Sequence, residues 1–230
     1  MNSLLRILPE KLFLYLFICL ILISDFTFSQ KNNFLNEDVK YFTFSFDNDV
    51  YFNTDRYYTN GFYFSLTSRK TNFSHAEKIL FPLAFGNRFQ TLTLFQKIYT
   101  PSDFSSDEIK YGDRPFAANL ELQYLLRNYS VENKFILTEA VSAGVVGKYA
   151  YGEEVQNGIY SLLPHSSDVP GWENQISGGV LFNYFMKIEK NIFKKNKFLF
   201  NVSTLGKLGT PQTSVGIGAH LVVNSTGKYF

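Results

Sequence analysis

Cysteine is all but missing. Of 230 residues only Cys19 carries a thiol, and it lies in an apolar run near the N-terminus, so the rest of the chain has neither a disulfide framework nor a thiol nucleophile. Charge of one sign is missing too. With 22 basic residues against 20 acidic ones the net charge is +2, which leaves no electrostatic footprint for nucleic acid. Beyond Gln30 no apolar stretch approaches the roughly 20 residues that a membrane-crossing helix needs. Disorder is excluded by the opposite measure, since hydrophobic residues make up 45% of the chain, enough for one core. Tryptophan occurs once, yet 25 Phe and 15 Tyr lift the aromatic share to 18% at a mean hydropathy of -0.09. So many aromatics at so neutral a hydropathy place the apolar residues along strands, not in spanning helices.

Arg6 and Lys11 flank the start of an apolar run from Leu12 to Ile23, and Thr27-Phe28-Ser29 put small residues at the third and first positions before Gln30. This is the layout of a secretory signal peptide over residues 1–29, with cleavage before Gln30. The apolar run is too short for a membrane anchor, and Ile18 ahead of Cys19 is too large for a lipoprotein-type cleavage site. An exported domain is therefore expected over residues 30–230.

Period-two alternation recurs through that domain. Phe42, Phe44 and Phe46 alternate with Thr43, Ser45 and Asp47, and Phe62, Phe64 and Leu66 with Tyr63, Ser65 and Thr67. Leu120, Leu122, Tyr124 and Leu126 oppose Asn119, Glu121, Gln123 and Arg127, while Val215, Ile217, Ala219 and Leu221 oppose Gly216, Gly218 and His220. Weaker versions cover roughly 88–99, 133–147, 176–189 and 196–208. The pattern predicts about eight strands of 11 to 15 residues. Strands of that length exceed the usual soluble strand and suit tilted strands that cross a membrane. A soluble sandwich also alternates, but over shorter strands. Strand length, export and aromatic load together favour an all-β fold, an antiparallel transmembrane β-barrel of the bacterial outer membrane, with apolar residues toward lipid and polar ones toward the lumen.

Letting the strands alternate in direction from the periplasm sends 47–60, 99–117 and 147–175 to the outer rim. The last two are long loops, and long loops usually mark function. The inner rim receives the short basic turns 128–133 and 189–196, and in 69–87 the stretch from His75 to Phe81 can form a helical turn stopped at Pro82. Carboxylates and amides collect at the outer rim: Asn48, Asp49, Asp55, Asp113, Glu153 and Glu154. Converging oxygens of this kind suit a hard divalent cation such as calcium. Solvated loops with ordinary Asx turns carry the same residues. Without a thiol, a base that activates water is the simplest hydrolytic arrangement.

At these rim segments the sequence resembles the outer-membrane lipid A 3'-O-deacylase family. The matching stretches are Phe46-Asp47-Asn48-Asp49, Thr54-Asp55-Arg56-Tyr57-Tyr58-Thr59-Asn60-Gly61, Gln96-Lys97-Ile98-Tyr99-Thr100-Pro101 and Gly112-Asp113-Arg114-Pro115-Phe116-Ala117. They continue with Gly144-Val145-Val146-Gly147, Gly152-Glu153-Glu154-Val155-Gln156-Asn157 and Gly171-Trp172-Glu173-Asn174-Gln175. The resemblance implies a membrane barrel whose outward-facing site hydrolyses an acyl ester of lipid A, the lipid anchor of lipopolysaccharide, with calcium in support. It places the family's Asn-Asp pair on Asn48 and Asp49, which are also the implied calcium ligands, and its threonine on Thr59. It implies a membrane and a lipid as partners and no obligate protein.

Two departures stand out. The family histidine falls on Tyr160, whose phenol, with an ordinary pKa near 10, is a poor base at neutral pH. His165, five residues on, is the candidate replacement. Ala118 and Lys148 also stand where the family has glycine and proline. The family barrel has twelve strands against the eight readable here, and Asn224-Ser225-Thr226-Gly227 ahead of the final Lys228-Tyr229-Phe230 reads as a turn. Two expectations follow from that, a wall short of its C-terminal strands or a naturally small barrel. A non-catalytic lipid A-binding barrel and a plain structural barrel compete with the deacylase reading.

Overall fold

The computed structural model describes residues 40–48, 57–69, 80, 86–103, 107–109, 111–130, 132, 134–161, 168–195 and 197–223. Their alternating segments form β1 (Lys40–Asn48), β2 (Asn60–Ser68), β3 (Asn87–Tyr99), β4 (Ala117–Ser130), β5 (Phe135–Val146), β6 (Gly179–Lys195), β7 (Phe198–Gly209) and β8 (Ser214–Val223). Each pairs antiparallel with the next, giving one eight-stranded meander in chain order. Among the described residues no helix is long and apolar enough to cross a membrane. The expected strand number is met, although lengths run from 9 residues in β1 to 17 in β6. Within the turn expected at 189–196, residues 189–195 are strand. A register shift between Asn191 and Phe193 absorbs the break in alternation there, and Asn191 Nδ2 donates to Asn201 Oδ1 at 2.9 Å and to the Phe200 carbonyl at 3.1 Å. β6 runs on to Lys195, Lys197 is in a turn and β7 opens at Phe198.

Pairing puts like with like on each face. Phe46 lies opposite Phe62, Phe44 opposite Phe64 and Phe42 opposite Leu66, all on one face. That face continues through Leu92, Leu94, Leu120, Leu122, Phe182, Ile217 and Leu221, and much of it stays exposed: Phe42 at 52%, Phe182 at 59%, Ile217 at 89%. The other face is tied by polar rungs. Ser65 meets Thr93 and Thr67 meets Thr91, both at 2.9 Å between hydroxyls. Glu121 accepts from Asn119 (2.6 Å), Ser142 (2.7 Å) and Asn183 (2.9 Å), a chain that reaches from β4 across β5 to β6. Lys187 pairs with Glu189 at 3.1 Å on the same side. Exposed greasy residues opposite hydrogen-bonded polar ones are the inverse of a soluble sheet, and this is the division a barrel wall needs, apolar outward and polar inward.

Two clusters interrupt the bare outward face. At one end Leu80 packs on Tyr124 and Leu126, where Tyr184 also donates to Glu139 at 2.9 Å; the helical turn expected before Leu80 lies outside the described residues. At the other end, segment 147–175, expected as loop, carries a helix, α1 (Gly152–Tyr160), entered through a short 3-10 turn at Lys148–Ala150 and followed by another at Trp172–Asn174. Val155 and Ile159, four apart, share one side of α1 and pack on the wall.

Candidate functional site

The outer-rim row of the wall runs Asn48, Asn60, Ile98, Ala118 across β1 to β4. Alternation puts these side chains on the outward face with Phe62, Gln96, Leu120 and Val145 one rung below. Onto this patch α1 and Trp172 dock, burying Ile98, Phe116, Ala118, Ala150, Val155, Val169 and Trp172 in one cluster with Phe62, Ile159 and Tyr160 around it. The approach is close because α1 begins with glycine. A Cβ on Gly152 would collide with Ala118 and with the Trp172 ring. Phe116 and Trp172 meet ring to ring at 5.0 Å.

Polar groups are enclosed with the apolar ones. Trp172 Nε1 donates to Gln156 Oε1 at 2.8 Å, and Gln156 is wholly buried. Gln96 Nε2 donates to the Ala150 carbonyl at 2.5 Å and so fastens the turn before α1 to β3. Gln156 Nε2 and Asn60 Oδ1 are buried without a hydrogen-bond partner, one donor and one acceptor left open. An enclosed polar atom without a partner costs free energy that a ligand or water reaching it recovers, and Asn128 Nδ2 and Gln175 Oε1 are buried in the same state elsewhere in the fold.

Thr59 sits at this rim, buried, with its amide donating to the Ile98 carbonyl at 2.9 Å and its hydroxyl 2.9 Å from that of Thr100. Asn48 closes β1 opposite Asn60. Tyr160 ends α1 against the cluster. Asp49, Asp55 and His165 lie outside the described residues. The structure therefore brings Asn48, Thr59 and Tyr160 to one rim of the wall. Gln156, one of the outer-rim polar residues of the sequence, joins them together with Gln96 and Trp172, whose partners spacing did not reveal: the contacts span 54 residues for Gln96 and 16 for Gln156. Among the described residues no group of three or more His, Cys, Asp or Glu side chains is placed to hold a metal ion.

The neighbouring loops are held by charge and by strain. Asp113 accepts from the amide (2.8 Å) and hydroxyl (2.5 Å) of Ser102 and from the Arg114 amide (2.7 Å), and these bonds, those from Ser102 foremost, hold its carboxyl below the usual range. Tyr57, at φ 71°, lies under the Arg114 guanidinium, 5.0 Å from ring centroid to Cζ. Tyr58 turns to the polar side, donates to Asp47 at 3.1 Å and stands 3.4 Å from the Tyr63 hydroxyl; burial first, then Tyr63 and Asp47, raise its pKa well above the ordinary phenol value, so it stays protonated. Gly61 makes room for it, because a Cβ there would strike the Tyr58 hydroxyl. On α1, burial followed by repulsion from Glu154 raises the Glu153 pKa, opposed by Lys148.

A helix thus covers a wall patch at the outer rim and buries the carboxamides of Gln96 and Gln156 with it. Residues 14–223 match the outer membrane protein LpxR family. The chain belongs to that family. Among solved structures, LpxR from Salmonella typhimurium shares its fold at a TM-score of 0.60, with 22% identity over 73% of this chain and 53% of that one. The chain thus spans about half the length of the LpxR structure it matches. No curated protein matches it. LpxR family membership makes the sheet an outer-membrane wall: the apolar face meets lipid, and the α1 docking site lies on that lipid-side face at the rim.

Proposed function

We propose that this protein engages the acyl-ester region of lipid A at the outer rim, as a deacylase of the LpxR type whose hydrolytic step is weakened by Tyr160. One observation carries the reading. The open donor of Gln156 lies on α1 where the helix docks, and the open acceptor of Asn60 is buried on the same rim row as Ile98 and Ala118, on the lipid-side face, where only a molecule already in the membrane's outer leaflet arrives without leaving it. A soluble substrate would call for a site facing the lumen or the water above the rim.

Ester hydrolysis adds water across the acyl bond and yields a carboxylic acid and an alcohol. Thr59, Asn48, Asn60 and Gln156 supply hydroxyl and amide groups able to orient an ester and a water molecule. A calcium ion fits the oxygen donors available, since Asn60 Oδ1 is buried and open beside Asn48, with Asp49 next in the chain. Asn48, Asp49 and Asn60 would hold it, and when bound it supplies positive charge against the negative charge that builds on an ester oxygen. The proton-accepting group is the weak point. Tyr160 occupies the family histidine's position, and a phenol is protonated at neutral pH. His165 remains the alternative base. Tyr160 also favours a second reading, a barrel that binds lipid A without cutting it.

Mass spectrometry of lipid A from cells with and without the protein tests the proposal. A partial loss of one ester-linked acyl chain is expected, rising when Tyr160→His is expressed. Unaltered lipid A in both, together with no retention of lipid A on the purified protein, would overturn it.

A further inference from the structure

Directly beneath the Asn48–Asn60 pair, the outward face carries a column of aromatic rungs. Phe46 stands 4.8 Å from Phe62, Phe44 stands 5.0 Å from Phe64, and Phe44 and Phe62 are linked diagonally at 6.5 Å, with Phe42 and Leu66 paired below. Phe42, Phe44, Phe46 and Leu66 are all exposed. Lipid contact alone does not call for this arrangement, because barrels place aromatics in horizontal girdles at the two interfaces. In the same rows β3 carries Gln96, Leu94 and Leu92 and β4 carries Leu120, Leu122 and Tyr124, and on β6 Phe182 and Tyr184 pair with Ala143 and Val141, so aromatic residues paired rung upon rung belong to β1 and β2. The column is also continuous with the site. Phe62, its top rung, packs against the cluster that α1 covers.

From Asn48 to Phe42 is six residues, about 20 Å of strand. At the usual tilt of about 45° that is roughly 14 Å of depth, close to half of the ~30 Å hydrocarbon core. The column thus descends one leaflet from the rim.

We infer that this Phe42–Phe46 and Phe62–Leu66 column is the track for the acyl chain whose ester lies at the rim site, and that it sets which chain length is held. The inference rests on the proposed engagement of lipid A and adds where its chain runs. Flat rings stacked along one line give a saturated chain a continuous rigid surface, whereas mobile aliphatic side chains next to lipid offer no preferred line. Each rung lost removes contacts from one level only, so truncation at the bottom acts on long chains and spares short ones.

Two measurements on the full-length protein, in liposomes of phospholipid with lipid A as a minor component, test this. In the first, 4-benzoylphenylalanine replaces Phe44 or, on the same face of β8, Ile217, and the lipids captured on illumination are identified by mass. Lipid A adducts enriched several-fold at position 44 over position 217 are expected; equal adduct composition at both overturns the track whether or not the protein cuts. In the second, hydrolysis is followed for lipid A species differing in acyl length. Phe42→Ala should lower kcat/KM for the longest chain about 2- to 10-fold, the range of one aromatic contact, and leave the shortest unchanged, with Ile217→Ala neutral. A uniform loss across lengths overturns the length-setting role. Absence of hydrolysis with enrichment at position 44 removes the deacylase activity and leaves the track standing.

Discussion

Trp172 is the one tryptophan in the chain, and its indole N–H is directed at a buried glutamine. Trp172→Phe keeps most of the ring contact with Phe116 and removes only that donor, which leaves Gln156 Oε1 enclosed without it. The expected cost is about 1–3 kcal/mol of α1 docking, read as faster proteolysis of the rim with the wall intact. Tyr160 answers a chemical question where Trp172 answers a packing one. If the missing base limits hydrolysis, Tyr160→His should raise ester cleavage by about 10²–10⁴. If His165 already serves, Tyr160→His changes little and His165→Ala abolishes activity. Robust lipid A deacylation by His165→Ala would exclude both and point to a carboxylate such as Asp49.

The strands were legible because alternation is local: Phe42 to Phe46 and Leu120 to Leu126 carry it in their own few residues. Helix α1 was not, since Gly152-Glu153-Glu154-Val155-Gln156-Asn157-Gly158-Ile159-Tyr160 holds two glycines and two acidic residues, and only Val155 and Ile159 mark a face. Its stability comes from the wall it covers, so the information sits in Ile98 and Ala118, far away in sequence. For the candidate site, Asn48 and Thr59 were named through resemblance, while the Gln96, Gln156 and Trp172 contacts needed the fold. Two predictions belong to these elements. Gly152→Ala forces a methyl into Ala118 and Trp172, and should lift α1 from the wall at about 1–3 kcal/mol, seen as loss of rim protection with unchanged strand signal in circular dichroism. The segment from Ser102 to Asp113 should depend on acidity. The Asp113 carboxyl is held below its unfolded value of 3.8, so its link to Ser102 is complete above that pH and fades as pH falls through the lower folded value. Protease access to this segment should rise only in that acid window, and Asp113→Asn should remove the dependence.

At the scale of the whole molecule, the topology makes a claim about sides. The β1–β2, β3–β4, β5–β6 and β7–β8 connections share one rim with α1, and the β4–β5 and β6–β7 turns share the other with the longer β2–β3 connection. In an outer-membrane wall the long connections face the outside and the short turns the periplasm. Tyr149, 69% exposed beside α1, and Lys197, exposed in the β6–β7 turn, are therefore on opposite sides of the membrane. The scarcity of thiols makes this simple to measure, because Cys19 is the one cysteine in the chain and falls in the segment read as a signal peptide. Tyr149→Cys should react with a membrane-impermeant maleimide on intact cells, and Lys197→Cys should react only after the outer membrane is opened. Labelling of both on intact cells would mean a leaky membrane, which Cys substitution in a known periplasmic protein would reveal. Labelling of Lys197→Cys alone would invert the wall, put α1 and the site in the periplasm, and remove the route by which an outer-leaflet lipid reaches Gln156 and Asn60.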